Sequence, residues 1–346
     1  MKSCISHLSM GIKSFILENF LPSRSDSRTP SGKPRLQYID LAKGICIILV
    51  VLLHSEVYVS ANMLRPLRMP LFFMLSGIFF SNYNSLTVLL RKKFNRLIVP
   101  FLFFSLLSIP FAWMDSGRFN WEWLCLWDIY SNFNFVLWFL LSLFFDNIIF
   151  GAVTLFVPFR IAQALIVLSL SAIGWILALN DILLPFALTQ SLLGLFFFFI
   201  GSLLRRSGLL RPNLKFDIPI AILGAAVFIF FMLRKDPNFY LLDFFYLKIN
   251  GSPWGIVFLY SVVPVATLFV CKIIRWLPVI SYCGRYSIII LGSHVLWTCV
   301  VWLFFEYIAI PRPQVVSFLI VLFLSWIFIP VARKLFPALC AQKDLF

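Results

Sequence analysis

The sequence predicts an all-α integral membrane protein of about ten transmembrane helices, and three observations carry that reading. Of 346 residues, 61% are hydrophobic and 12% charged, and the mean hydropathy is +0.96. Soluble domains hold roughly 45–50% apolar and about 25% charged residues. The apolar residues also fall in runs long enough to cross ~30 Å of hydrocarbon at 1.5 Å per helical residue. Finally, basic residues cluster in the short segments between runs, where they set membrane topology.

These same observations exclude several function classes. A net charge of +15 could mark a nucleic-acid partner, but the 29 Lys and Arg sit between apolar runs and form no binding face. The 41 Phe and 11 Trp suit a lipid-facing surface. Seven cysteines lie scattered with no CxxC pair, so neither a metal centre nor a disulfide framework is expected.

The elements follow in order. Residues 1–35 hold one short mixed segment, Leu8 to Leu21, and then PSRSDSRTPSGKPR, too polar to offset ordering entropy. They read as a mobile cytoplasmic tail, with no signal-peptide cleavage site, before a membrane domain at 36–336 and a short cytoplasmic tail at 337–346. Spans are expected near 38–60, 66–81, 97–114, 133–157, 161–180, 184–204, 216–233, 254–271, 279–305 and 314–334. Within 66–81, Pro70 frees a backbone carbonyl, and Ser76-Gly77 offers a small polar spot for close helix approach.

With the N-terminus inside, one face collects the six tail cations, Arg91, Lys92, Lys93, Arg96, Arg160, Arg205, Arg206, Arg211, Lys215, Lys272, Arg275, Arg285, Arg333, Lys334 and Lys343. The other face holds only Arg65, Arg68, Arg118, Arg234, Lys235, Lys248 and Arg312, and Lys43 lies within the first span. That bias places both termini in the cytoplasm. The longest outer segments, about 115–132 and 234–253, carry Trp121, Trp123, Trp127, Tyr240, Asp243 and Tyr246. They read as interfacial belts, or else as a cover over a polar acceptor.

Ionisable groups inside spans cost ~2.5–3.5 kcal/mol each even on the lenient insertion scale, so each needs a reason. In YIDLAKGICIILVVLLHSEVY, Lys43 and His54 are eleven residues apart. That spacing is about three turns and ~16 Å of rise, so both side chains share one helix face. Asp40 is near the same stripe, in i, i+3 reach of Lys43. Arg65 and Arg68 stand at the outer end of the second span, and LLRKKFNRLIVP forms a basic turn at the cytoplasmic mouth. Such a turn suits donor phosphates or anionic lipid head groups. Asp146 follows WFLLSLFF, GRYSIIILGSH places His294 mid-span, and Glu56 and Glu306 lie near the outer surface.

Two of only three histidines therefore fall inside apolar helices. Neutral imidazole can take a proton from a hydroxyl, whose oxygen then attacks a thioester, with a nearby cation stabilising the oxyanion. Proton-coupled transport would use the same residue types, and a non-catalytic scaffold would tolerate them. No GxSxG, HExxH, Walker loop or GxGxxG in a βαβ setting occurs to decide otherwise.

The sequence resembles the acyltransferase 3 family of multi-spanning membrane acyltransferases from about Leu36 to Arg333. The signatures are a basic residue, ten residues and a His (Lys43, His54), and FFxxSG (Phe72 to Gly77). A basic RxxR turn before a Pro is met by Lys93, Arg96 and Pro100, and weaker matches are Trp138-Phe139-Leu140 and GRYSIIILGSH. Lys93 departs from the family's first Arg, keeping charge but losing the planar fork. The resemblance implies ten spans around a polar cavity, an acyl-CoA donor (acetyl-CoA above all) with no tightly bound cofactor, and a surface or lipid-linked glycan acceptor. It implies O-acylation, mostly O-acetylation, in a bacterial cytoplasmic membrane. By the same resemblance His54 and Lys43 form the catalytic pair, His54 as base and Lys43 facing the donor or steadying the cavity; Lys93 and Arg96, with Arg91 beside them, hold CoA phosphates, and Arg68 and Ser76 shape the cavity. The cavity list is completed by Asp40, from its place near the Lys43 stripe, and, on burial grounds, by Glu56, Asp146 and His294. A secondary transporter or exporter of a small metabolite or glycolipid is the alternative.

Overall fold

The computed structural model describes residues 36–57, 64–117, 120, 128–233 and 240–345. The tail at 1–35, Trp121, Trp123, Trp127, Arg118, Arg234 and Lys235 lie outside the described residues. The helices are α1 (Gln37–His54), α2 (Met69–Ile78), α3 (Leu86–Lys93), α4 (Val99–Ser116), α5 (Trp138–Phe156) and α6 (Arg160–Leu179). They continue as α7 (Leu188–Arg206), α8 (Leu214–Met232), α9 (Pro253–Ile274), α10 (Pro278–Arg285), α11 (Ser287–Tyr307) and α12 (Gln314–Leu335). A two-residue hairpin, β1 (Leu241–Leu242) with β2 (Ile249–Asn250), pairs Leu241 with Asn250 and Leu242 with Ile249.

Nine helices among the described residues are long and apolar enough to cross a membrane. The chain is an all-α integral membrane protein. In α5 and α7, 67% and 72% of the apolar window is buried, against 22% in α6 and 17% in α8. The first pair is thus central and the second peripheral, with Ile161, Leu165, Ile222 and Leu223 turned out where lipid would lie.

The expected second span is corrected by the structure. Only Met69–Ile78 is helical, and ten residues rise ~15 Å, half a hydrocarbon layer. Pro70 does not interrupt a helix. It sits at the start of α2, where its missing N–H costs nothing. This half-helix lies parallel to α7. Phe73 meets Gly194, Gly77 meets the Phe198 carbonyl, and Gly201 meets the Met74 carbonyl. A Cβ at Gly77 or Gly201 would collide with those backbones, so glycine is what lets the two helices touch. Arg205 donates to the carbonyls of Ile78 and Phe80, satisfying the open end of α2.

The ninth expected span is corrected too. The helix breaks at Tyr286 (φ −113°, ψ 29°), leaving α10 as a separate short helix packed on α1. Gly44 faces the Ile280 carbonyl and Gly284 the Asp40 carbonyl, again at backbone contact. The third expected span starts earlier than 97, because α3 runs into α4 through a π-helical turn at Phe94–Ile98.

A buried charge pair ties α8 and α9 together. Lys272 on α9 donates to Asp217 of α8 at 2.5 Å and to the Leu209 carbonyl at 2.6 Å. Asn213 N–H donates to the other Asp217 oxygen at 2.9 Å, so this buried pair is fully hydrogen-bonded.

Candidate active site

Histidine 54 ends α1, and α1 is one unbroken helix from Gln37, so Lys43 and His54 do share a face. The His54 ring is partly exposed and lies 5.1 Å edge-on from Phe135. Its other neighbour is His294 of α11, ring centres 5.3 Å apart and tilted by 40°. Two imidazoles 240 positions apart in the chain therefore meet, which no local pattern could reveal.

His294 is fully buried, and its Nδ1 contacts the Ile290 carbonyl at 3.0 Å. A carbonyl can only accept, so Nδ1 carries the proton. The neutral ring then keeps a lone pair on Nε2, which is buried with no hydrogen-bond partner among the described residues. An orphaned imidazole nitrogen in a packed helix is costly unless chemistry uses it.

Arg68, 4% exposed, stands at the start of α2, and its carbonyl accepts from the Cys46 thiol at 2.8 Å. Its charge lies within electrostatic reach of His54. Because α2 begins midway along α1, the guanidinium is carried into the bundle rather than left at the surface. Ser76, also on α2, is partly exposed three residues before Phe79.

The end of the bundle nearer His54 is covered. In the hairpin loop, Asp243 takes N–H donors from Phe245 and Tyr246 at 3.0 Å and pairs with Arg65 at 3.3 Å. That turn drives Phe244 against Phe73 (5.4 Å) and Phe245 against Phe135 (5.4 Å). The described residues 240–253 thus form a folded cover over the ring that touches His54. Its Tyr246 and the adjacent Trp254 remain exposed, as an interfacial belt requires.

The opposite end of the bundle carries the other cations. Lys43 lies over the Phe79 ring (4.5 Å) and Lys93 over the Phe80 ring (6.0 Å), and the two are in electrostatic reach of each other. Arg91 is exposed beside them, its carbonyl bound by the Asn95 side chain at 3.1 Å. Arg96 is exposed and pairs with Asp344 at 3.6 Å, while Asn95 accepts from the Leu345 N–H at 3.1 Å. Asp40 contacts Arg285 at 3.9 Å, an ion pair between α1 and α10.

Two expected cavity residues are corrected. Glu56 has a side chain 69% exposed and pairs with Arg312 on the outer surface, because the chain leaves α1 there with a positive φ of 58°. Asp146 is fully buried, but its partner is Ser191 of α7 at 2.7 Å, in the seam between α5 and α7. Neither contacts an imidazole. Sequence reasoning also missed Phe135 and Asn134, the latter buried and bonded to α4 and α11. Their signal was the amide pair Asn132 and Asn134 opening an apolar run.

A family model described as an acyltransferase domain matches residues 36–332. No curated protein and no solved structure matches the chain.

Proposed function

Since the chain belongs to the acyltransferase 3 family, we propose that it is an acyl-CoA-dependent O-acetyltransferase acting on a surface or lipid-linked glycan. The observation that carries this reading is the His54–His294 pair, with ring centres 5.3 Å apart beneath a folded cover. The basic mouth at Lys43 and Lys93 supports a phosphate-bearing donor from the cytoplasm, with Arg91 and Arg96 flanking it. Lys43 stands ~16 Å below His54 along α1, a span that suits an extended pantetheine arm.

In this mechanism His54 takes the proton from an acceptor hydroxyl as its oxygen bonds to the thioester carbon. Arg68 stabilises the oxyanion, and the neutral Nε2 of His294 is at hand to accept from the His54 imidazolium. The carbon–sulfur bond then breaks, and the CoA sulfur leaves with the proton returned by His54. Donor and acceptor thus approach from opposite sides, the acceptor after the Phe245 cover moves.

Acyl transfer from isotope-labelled acetyl-CoA into glycolipid of the native membrane tests the reading. Label in the glycan is expected. Ion-gradient-driven movement of a metabolite, with no CoA bound by the purified protein, would establish the exporter instead.

A further inference from the structure

We propose that Asn134 is a positioning residue for the imidazole pair, fixing His54 and His294 relative to each other through its side-chain amide. The proposal rests on the reading of that pair as the transfer site. Asn134 is fully buried and directly precedes Phe135, whose ring lies 5.1 Å from His54. Its Nδ2 donates to the Gly292 carbonyl at 2.8 Å, two residues before His294. The same Nδ2 donates to Ser108 Oγ of α4 at 3.1 Å. One amide therefore joins the segment that buttresses His54, the helix that carries His294, and a third helix that braces both.

Chemistry explains why the residue is asparagine. The Gly292 oxygen can only accept. Ser108 Oγ spends its own proton on the Phe104 carbonyl at 2.6 Å, so it too offers only an acceptor. Both partners demand N–H donors from one short neutral side chain, and the amide orientation is fixed by that demand. The α4–α11 contact beside it is tight, since a Cβ at Gly292 would strike the Phe104 ring. The loop itself is preset: Asn132 accepts from the Asn134 backbone N–H at 2.9 Å and donates to Ser105 Oγ at 3.3 Å. Nothing in this network touches the basic mouth, so it bears on the geometry of the rings and not on donor capture.

The test compares Asn134→Asp, Asn134→Ala and Ser108→Ala in the full chain, on folded, monodisperse protein. Asp has the shape of Asn but turns both donors into acceptors, so it should do more harm than Ala. The expected result is a fall in kcat of about a hundredfold for Asn134→Asp, as for a reacting group displaced by ~1 Å. Ser108→Ala should lose less, the KM for acetyl-CoA should stay put, and the pH profile of kcat should change shape as well as height. In ¹⁵N-histidine spectra, His54 and His294 signals should move in Asn134→Asp while that of His7 stays. Unmoved His54 and His294 signals, or Asn134→Asp with wild-type kcat, would overturn the positioning role. If the wild-type chain transfers no acyl group but the two signals move, the transfer reading fails and the positioning role stands. Should Asn134→Asp not fold, Ser108→Ala decides by the same readouts.

Discussion

A lone pair with no partner, on Nε2 of a fully buried His294, is the residue-scale fact from which the chemistry follows. Burial without a partner costs free energy, and the ring packs against another imidazole. Charged residues divide by what they touch. Lys43 is held over Phe79 at the mouth, and under the proposed reading it meets donor phosphate. Lys43→Ala is expected to raise the KM for acetyl-CoA at least tenfold with kcat nearly unchanged, from the loss of ~1.5–3 kcal/mol of charge-assisted bonding. Steady-state kinetics with varied donor checks this, and an unchanged KM would remove Lys43 from the donor site. Asp146 behaves differently because Ser191 Oγ is its one hydrogen-bond donor. Ser191→Ala is expected to lower stability by ~1–3 kcal/mol while leaving kcat alone. Thermal unfolding in detergent beside an activity assay separates the two effects.

At the scale of elements, the spans were legible in the hydropathy of the chain, and the exceptions share a cause. A hydropathy window averages composition, so the strongly apolar run after Tyr286 carries along the shorter, more polar stretch before it, and 66–81 reads as one apolar run. It does not see where the backbone leaves the helix, and Pro70, expected to free a carbonyl within a full span, opens a half-helix. The family signatures located Lys43 and His54 because they lie on one helix, where spacing fixes direction. The meeting of His54 with His294 depends on how α1 packs against α11, and Glu56 was misplaced by a single positive φ after α1. Neither leaves a periodic trace. The α2–α7 seam yields a direct prediction. Gly77→Ala should cost about 1–3 kcal/mol or more, because its Cβ would meet the Phe198 carbonyl, which cannot retreat within a helix. A melting temperature equal to wild type would contradict that contact.

Across the whole molecule, charge and cover give the bundle two unlike ends. The basic mouth gathers Lys43, Lys93, Arg91 and Arg96 at one end, and the Asp243–Arg65 hairpin closes the other. If the mouth faces the cytoplasm, an impermeant maleimide should label Tyr307→Cys from outside intact cells, since Tyr307 is 89% exposed at the far end of α11. Lys343→Cys should label only after permeabilisation, and the reverse pattern would invert the orientation. The central claim is that His54 is the base of an acyl transfer inside this bundle. It is tested most directly by turnover of labelled acetyl-CoA with wild-type and His54→Ala protein, each shown to be folded and to bind CoA. Label in glycan from wild type only, with CoA binding kept by the variant, is the predicted result; equal transfer by His54→Ala would contradict the account.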